Sequence, residues 1–234
     1  MKTFEISSLL RKNPYPGRGL VLGRSADDSK AILAYFIMGR SVNSRNRVFV
    51  PCEDGIRTEA RDPSQMTDPS LILYHPVRAF AGRTIVTNGD QTDTIRGALA
   101  EGGNFRRALQ SRSFEPDAPN YTPRISGLLE RDGSYALSIL KSMAGDPRCC
   151  CRCFFEYSRP LAGVGHFLHT YRGDGDPLPS FEGEPERIAV TAPDAESFAE
   201  LVWDSLDPDN KISLFVRYLD LAAGSCDDVL RNKY

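Results

Sequence analysis

Short runs of branched and aromatic residues, broken by Gly, Asp and Asn, recur along the chain and predict strands more often than helices. Residues 19–24 (GLVLGR), 30–38 (KAILAYFIM) and 47–52 (RVFVPC) open the series. Residues 71–80 (LILYHPVRAF) and 83–87 (RTIVT) continue it. Pro76 places the first of these at a bend or an edge, because proline cannot donate to a sheet ladder. Residues 124–130 and 135–141 flank Arg131–Asp132–Gly133–Ser134, a hairpin signal. Strands are also expected at 152–158 (RCFFEYS), 165–171 (GHFLHTY), 187–191 (RIAVT) and 211–219, ahead of a tail without a clear pattern.

Helical periodicity appears in two places. The run Thr92–Asp93–Thr94 is suited to cap a helix in which Ile95, Leu99 and Leu109 recur on one side, and Gly102–Gly103 splits that stretch in two. Residues 194–206 (DAESFAELVWDSL) give the clearest helix: Asp194 caps it, acids fill its first turn, and Phe198, Leu201, Val202 and Leu206 share a face. Two loops stand out. FEPDAPNYTP at 114–123 is too rich in proline for helix or central strand. GDGDPLPSFEGEPE at 173–186 is long enough that an ordered, functional or interfacial role is expected. About ten strands against two or three helices, with no alternating strand–helix rhythm, exclude a doubly wound fold. They point to an α+β chain of mostly antiparallel sheets covered by helices. No repeat, low-complexity tract or linker divides the sequence, so residues 1–234 are expected to form a single domain.

Composition narrows the function classes. Lys and Arg number 29 against 31 Asp and Glu, a formal charge of −2 over 234 residues. That balance argues against a general nucleic-acid binder, which needs a basic excess to neutralise phosphates. No apolar run approaches membrane-spanning length. The start, MKTFEISSLLRKNPYPGRG, reaches Glu5 and Arg11 before any long apolar stretch, so no signal peptide is expected and the protein is read as cytoplasmic. The six cysteines, four of them within CCCRC at 149–153, are read as reduced thiols.

Candidate chemistry begins with arginine. Arg18 and Arg24 in GRGLVLGR, then Arg40, Arg45 and Arg47 in GRSVNSRNR, can converge several guanidiniums on a phosphate, although a solvated turn with surface ion pairs is the plainer reading. In NGDQTDT at 88–94 a glycine turn leads into a helix start, which offers free N–H groups to an anion, while Asp90 and Asp93 are placed for sugar hydroxyls. A simple Asn-Gly turn with a helix cap accounts for the same residues. In an extended chain Cys149, Cys151 and Cys153 share a face, but His166 and His169 point to opposite faces, and no Cys-x-x-Cys pair is present. Small buried packing residues are the expectation there, with no metal. The chain lacks G-x-S-x-G, P-loop and dinucleotide fingerprints. His75 beside Tyr74 is a candidate base of ordinary structural type. Glu115, mounted in the proline-rich loop, is placed for a carboxylate with a raised pKa.

Four segments in order, GRGLVLGR, AYFIMGRSVNSRNRVF, TNGDQTDTI and FEPDAPNYTPRI, resemble the archaeal-type IMP cyclohydrolase family, from about residue 17 to residue 140. HTYRGDGDPLPSFEGEP looks like the bacterial branch of that family. The resemblance implies closure of 5-formamidoimidazole-4-carboxamide ribotide to IMP with loss of water, without a cofactor, in purine biosynthesis. It implies a four-layer αββα sandwich like that of the N-terminal-nucleophile hydrolases. Lys2 follows Met1 here, so terminal-nucleophile chemistry is not expected. By motif, the family's active-site arginine falls on Arg47, its tyrosine on Tyr74 and its glutamate on Glu115. The SVNSRNR loop is longer than the archaeal version, which leaves Arg45 as the alternative to Arg47. Arg18, Arg40 and Arg45 are then candidates for the phosphate, and Asn88, Asp90 and Thr92 for ribose or base. A homo-oligomer, such as a tetramer, is also implied. The competing readings are a non-catalytic purine-nucleotide-binding protein and an amidohydrolase acting on a related formamide.

Overall fold

The computed structural model describes residues 2–66, 69 and 72–234. Among them the strands are Arg18–Arg24 (β1), Lys30–Met38 (β2), Val48–Cys52 (β3), Gly55–Glu59 (β4), Val77–Phe80 (β5), Arg83–Thr87 (β6), Arg124–Leu129 (β7), Tyr135–Met143 (β8), Asp146–Tyr157 (β9), Val164–His169 (β10), Glu186–Ala189 (β11), Lys211–Asp220 (β12) and Cys226–Asn232 (β13). The helices are Ile6–Lys12 (α1), Val42–Arg45 (α2), Gln91–Ala100 (α3), Phe105–Gln110 (α4) and Ala195–Ser205 (α5). Two antiparallel sheets result, of six strands in the order β11-β10-β1-β2-β12-β13 and seven in the order β3-β4-β5-β6-β7-β8-β9.

The nine residues of β2 show why the sheets lie where they do. Its side chains are apolar on both faces, as a strand covered on both sides requires. Ala31, Leu33, Tyr35 and Ile37 belong to the apolar layer shared with the seven-stranded sheet, where they meet Phe49, Val77, Val86, Ile125 and Leu137. Ile32, Ala34, Phe36 and Met38 face the other way, against Ile6 and Leu10 of α1 and Phe198, Ala199 and Val202 of α5. A third cluster lies on the far side of the seven-stranded sheet, where Ile85, Leu128 and Leu140 pack on Ile95 of α3 and Phe105, Ala108 and Leu109 of α4. Each large apolar side chain fully buried in these layers contributes about 1.5–3 kcal/mol. No helix among the described residues is long and apolar enough to cross a membrane.

Most of the expected elements are present, and the hairpin at 131–134 and the break between α3 and α4 stand where the glycines place them. The helix after the Asn-Gly turn starts at Gln91, so Asp90 occupies the cap position and Thr92 lies inside the first turn. Four elements carry no clear pattern, the single-turn α2 among them. α1 buries Ile6 and Leu10 and packs Leu9 beside them, β4 has one apolar side chain, Ile56, and β13 replaces the expected featureless tail. β13 is an edge strand held by its ladder to β12 and by Arg217 Nη2 on Asp228 Oδ2 at 2.6 Å. The run expected as a strand at 71–80 forms one only over Val77–Phe80; residues 72–76 turn instead, and residue 71 lies outside the described residues. Pro76 and the capture of the Tyr74 N–H by Thr58 Oγ1 at 2.9 Å explain that turn.

Candidate active site

Strand alternation carries charged residues into one end of the layer between the sheets. Arg18 continues the face of Leu20 and Leu22, and Arg47 continues the face of Phe49. Gly17, at φ +76°, turns the chain into β1 so closely that a Cβ there would lie 2.4 Å from Thr170 Oγ1 and 2.5 Å from the Tyr171 ring. Arg18 N donates to Thr170 Oγ1 at 3.2 Å, which seats the arginine beside Tyr171. Its Nε is buried and has no hydrogen-bond partner among the described residues.

Arg47 is 1% exposed. The short helix α2, closed by a reciprocal Ser41–Ser44 capping box, ends so that Arg47 Nε donates to Ser44 O at 2.8 Å and Nη2 to Met38 O at 3.3 Å. Tyr74 is buried in the turn before β5, and its hydroxyl lies 3.0 Å from that of Tyr35. It also lines a cleft of about 550 Å³ with Arg57, Met66, His75, Asp90 and Asp93. Glu115 is 2% exposed. Its loop is closed by Glu115 N on Thr122 O at 2.9 Å and by Thr122 N on Asp117 Oδ1 at 2.6 Å, and Thr122 Oγ1 meets the Tyr171 hydroxyl at 2.5 Å.

These groups act on one another electrostatically. Burial raises the pKa of Glu115 and the charge of Asp117 adds to the rise, while Arg18, Arg124 and Arg47 work against it. For Arg18, burial opposes the charge, but Glu115, Tyr171, Tyr15 and Tyr74 outweigh it and its pKa is raised. Burial and then the neighbouring Arg18 lower that of Arg47, which remains a cation at neutral pH as any arginine does. The result is a water-poor nest of one carboxyl, guanidiniums and phenols. Such a nest can hold a polar ligand, take a proton and stabilise an oxyanion.

The nine candidates are not all in that nest. Arg18, Arg47, Tyr74 and Glu115 share it. Arg45 instead bonds Gly39 O at 3.0 Å and Asn210 Oδ1 at 3.3 Å and lines a separate cleft with Val42 and Arg61. Arg40 is exposed, paired with Asp174, near Gly175 O at 3.3 Å and over the Tyr15 ring at 4.9 Å. Asn88 is buried and bonds Pro123 O at 2.9 Å and the Ile125 N–H at 2.8 Å. Thr92 is buried against Thr87 Oγ1 at 2.6 Å. Asp90 takes Arg112 and, at 2.8 Å, Arg124.

Sequence reasoning missed Tyr15, Tyr35, Arg124 and Tyr171. Tyr35 looks like any core residue of β2, and Arg124 like the start of a strand. The one local signal for Arg124 is Gly89, where a Cβ would come within 2.4 Å of its Nη1. Elsewhere, Cys149 is exposed and Cys150, Cys151 and Cys153 are half-buried rather than buried, with the Sγ atoms of Cys151 and Cys153 3.7 Å apart. His166 bonds the Tyr135 hydroxyl at 2.7 Å, and His169 bonds Glu186 at 3.2 Å on the opposite face of β10.

Residues 15–224 match the family model described as IMP cyclohydrolase-like protein. The chain is 30% identical over 189 residues to the IMP cyclohydrolase of Methanopyrus kandleri, which covers 72% of this chain and 89% of the relative. It is 24% identical over 194 residues to that of Methanosphaera stadtmanae, covering 81% and 85%. With that of Halobacterium salinarum it shares 31% over 134 residues, 56% of this chain and 64% of the relative. The matched span contains the whole nest from Tyr15 to Tyr171, and the chain belongs to the family of IMP cyclohydrolase-like proteins.

Proposed function

We propose that the protein closes 5-formamidoimidazole-4-carboxamide ribotide to IMP with release of water, in purine biosynthesis. The observation that carries this reading is the convergence of Arg47, Tyr74 and Glu115, from three separate segments, around Arg18, whose buried Nε has no hydrogen-bond partner among the described residues. The family relationship supports the substrate class.

The reaction is intramolecular and redox-neutral, so it asks for orientation and proton handling rather than an electron carrier or a covalent nucleophile. Holding carboxamide nitrogen and formyl carbon in a near-attack arrangement contributes on the order of 7–11 kcal/mol in favourable cases. As the new C–N bond forms, Glu115 accepts a proton from the carboxamide nitrogen, and Tyr74 donates a hydrogen bond to the formyl oxygen as it gains charge. Arg47 and Arg18 hold that charge. The former formyl oxygen then takes up the proton and leaves as water with the hydrogen of the formamide nitrogen, which completes the ring.

The cleft beside Tyr74 admits the ribotide, with Asp90 toward the ribose. Asn88 and Thr92 serve that face indirectly, by fixing the turn that carries Asp90. Arg40, which lies over the Tyr15 ring, is the phosphate contact, released from Asp174 when the substrate binds; Arg45, held by Gly39 O and Asn210 Oδ1 beside a separate cleft, is given no substrate contact. The two facing sheets with helices outside each support the further reading of an αββα sandwich of the N-terminal-nucleophile hydrolase type. From the family resemblance we also propose a cytoplasmic homo-oligomer, which light scattering and cell fractionation test.

The deciding experiment incubates the purified, metal-stripped protein with the formamido ribotide and follows IMP by absorbance and chromatography. IMP formation supports the proposal. Release of formate and the aminoimidazole ribotide would make the protein a formamide hydrolase. Binding of ribotide without turnover would make it a nucleotide-binding protein.

A further inference from the structure

Tyr35 occupies the middle of β2, fully buried in the layer between the sheets. Its register neighbours are Leu20 on β1 and Phe215 on β12, and its ring stacks on Phe49 at 5.8 Å and 22°. Every one of those contacts would be served as well by phenylalanine. The hydroxyl is therefore the feature to explain, since a buried O–H without a partner is unfavourable. Among the described residues its hydrogen-bond partner is the Tyr74 hydroxyl at 3.0 Å.

We infer that Tyr35 is a positioning residue which donates its proton to the Tyr74 oxygen and so leaves the Tyr74 O–H free to point at the ligand. A phenol carries one proton. If Tyr74 donated to Tyr35, the Tyr35 proton would lie in an apolar layer without an acceptor and Tyr74 would have nothing to give the substrate. With the opposite polarity both protons are used. Burial, with Tyr74 adding to it, holds the Tyr35 pKa well above that of a free phenol, so it stays a donor across the working pH range. As charge grows on the formyl oxygen, electron density shifts onto the Tyr74 oxygen, and the bond from Tyr35 strengthens in a surrounding of low polarity. Arg18 and Arg47 are the charged neighbours of Tyr74 in the nest, and Arg57, Glu59, His75, Asp90 and Asp93 line the cleft with it. None of these is hydrogen-bonded to the Tyr74 hydroxyl. Orientation of that hydroxyl thus falls to Tyr35.

This inference rests on the cyclisation reading, and the experiment separates the two. Y35F, Y74F and the double variant are compared with the wild type in kcat and KM for the formamido ribotide, with thermal melting of each. Y35F is expected to lose about tenfold in kcat with KM unchanged within about twofold, the scale of one hydrogen bond gained in the transition state. The double variant is expected to be no slower than Y74F alone, because the bond is already gone. Four results overturn the inference: a Y35F kcat close to wild type, a loss carried by KM, a double variant slower by the product of the single losses, or a Y35F melting point far below wild type. A wild type that forms no IMP sinks the cyclisation reading itself, whereas an active wild type with an indifferent Y35F sinks only the role of Tyr35.

Discussion

Replacing Glu115 by Gln keeps the side chain's volume and removes its capacity to accept a proton. The residue is 2% exposed, and its loop is fastened through Glu115 N and Thr122 O at 2.9 Å, a backbone bond that the substitution leaves intact. The loss should therefore be chemical rather than architectural. A positioned general base is worth roughly 10²–10⁴ in rate, about 3–5 kcal/mol of barrier, and E115Q is expected to lose kcat on that scale with a smaller change in KM. Burial raises the Glu115 pKa against the opposing pull of Arg18, Arg124 and Arg47. The acid limb of the wild-type kcat/KM profile should therefore lie above the ordinary glutamate value of about 4.3, and E115Q should lack it. Stability carries the same signature. Between the ordinary and the raised pKa the folded protein holds a proton that the unfolded chain has lost, so the stability associated with this group is full below the ordinary value and falls as pH rises through the raised one. Melting curves of the wild type should thus drop relative to E115Q as pH rises across that window. IMP formation followed by absorbance between pH 4 and 8, with parallel melts, makes both comparisons. An E115Q enzyme within about threefold of wild-type turnover, or melts that stay parallel across the window, would refute the reasoning.

Arg47→Met removes the donor to Ser44 O and Met38 O as well as a cation of the nest; steady-state kinetics should show a loss of about 10²–10³ in kcat. Arg45→Ala, at a separate cleft, should leave turnover close to wild type, and equal losses in the two variants would put Arg45 back in contention. Gly17→Ala forces a Cβ against Thr170 and Tyr171 at φ +76°; denaturant titration should register more than about 1 kcal/mol of destabilisation, with slower turnover as Arg18 shifts. Asn104→Ala removes the cap of α4, where Asn104 Oδ1 accepts the Arg107 N–H at 2.9 Å. It should lower stability by about 1 kcal/mol and the melting point by about 2–4 °C, with turnover unchanged.

What the sequence discloses follows from how locally each feature is determined. β1, β2, β6, β7, β8 and α5 write their burial into their own periodicity. β4 and β13 do not: their polar residues become strand because β3, β5 and β12 offer ladders, and α1 is held by Ile6, Leu9 and Leu10 on α5 and the sheet. Asn88 and Thr92 read as a turn with a helix cap or as ligand contacts, yet the closure of β6 onto β7 buries them and turns their polar atoms inward. The choice between Arg45 and Arg47, two residues apart, is made by α2. Its end sets Arg47 on the face of Phe49 and sends Arg45 to Gly39 and Asn210. Resemblance to a family, not spacing, brings Arg47, Tyr74 and Glu115 together. They lie far apart in the chain, and no periodicity spans that distance.

The position of the nest has its own physical logic. Alternation that places Leu20, Leu22 and Phe49 in the apolar layer also brings Arg18 and Arg47 into its end, so the same pleat that builds the core delivers the charges. A guanidinium drawn out of water is tolerated only where other groups compensate it. Here Ser44 O and Met38 O receive Arg47, and Glu115 offsets Arg18 across the nest. The Arg18 Nε has no partner among the described residues. In the proposed reaction a polar ligand would meet that donor with the surrounding charges already in place. That is the form of preorganisation a cyclisation needs, since its charge moves only a short distance and within a single bound molecule.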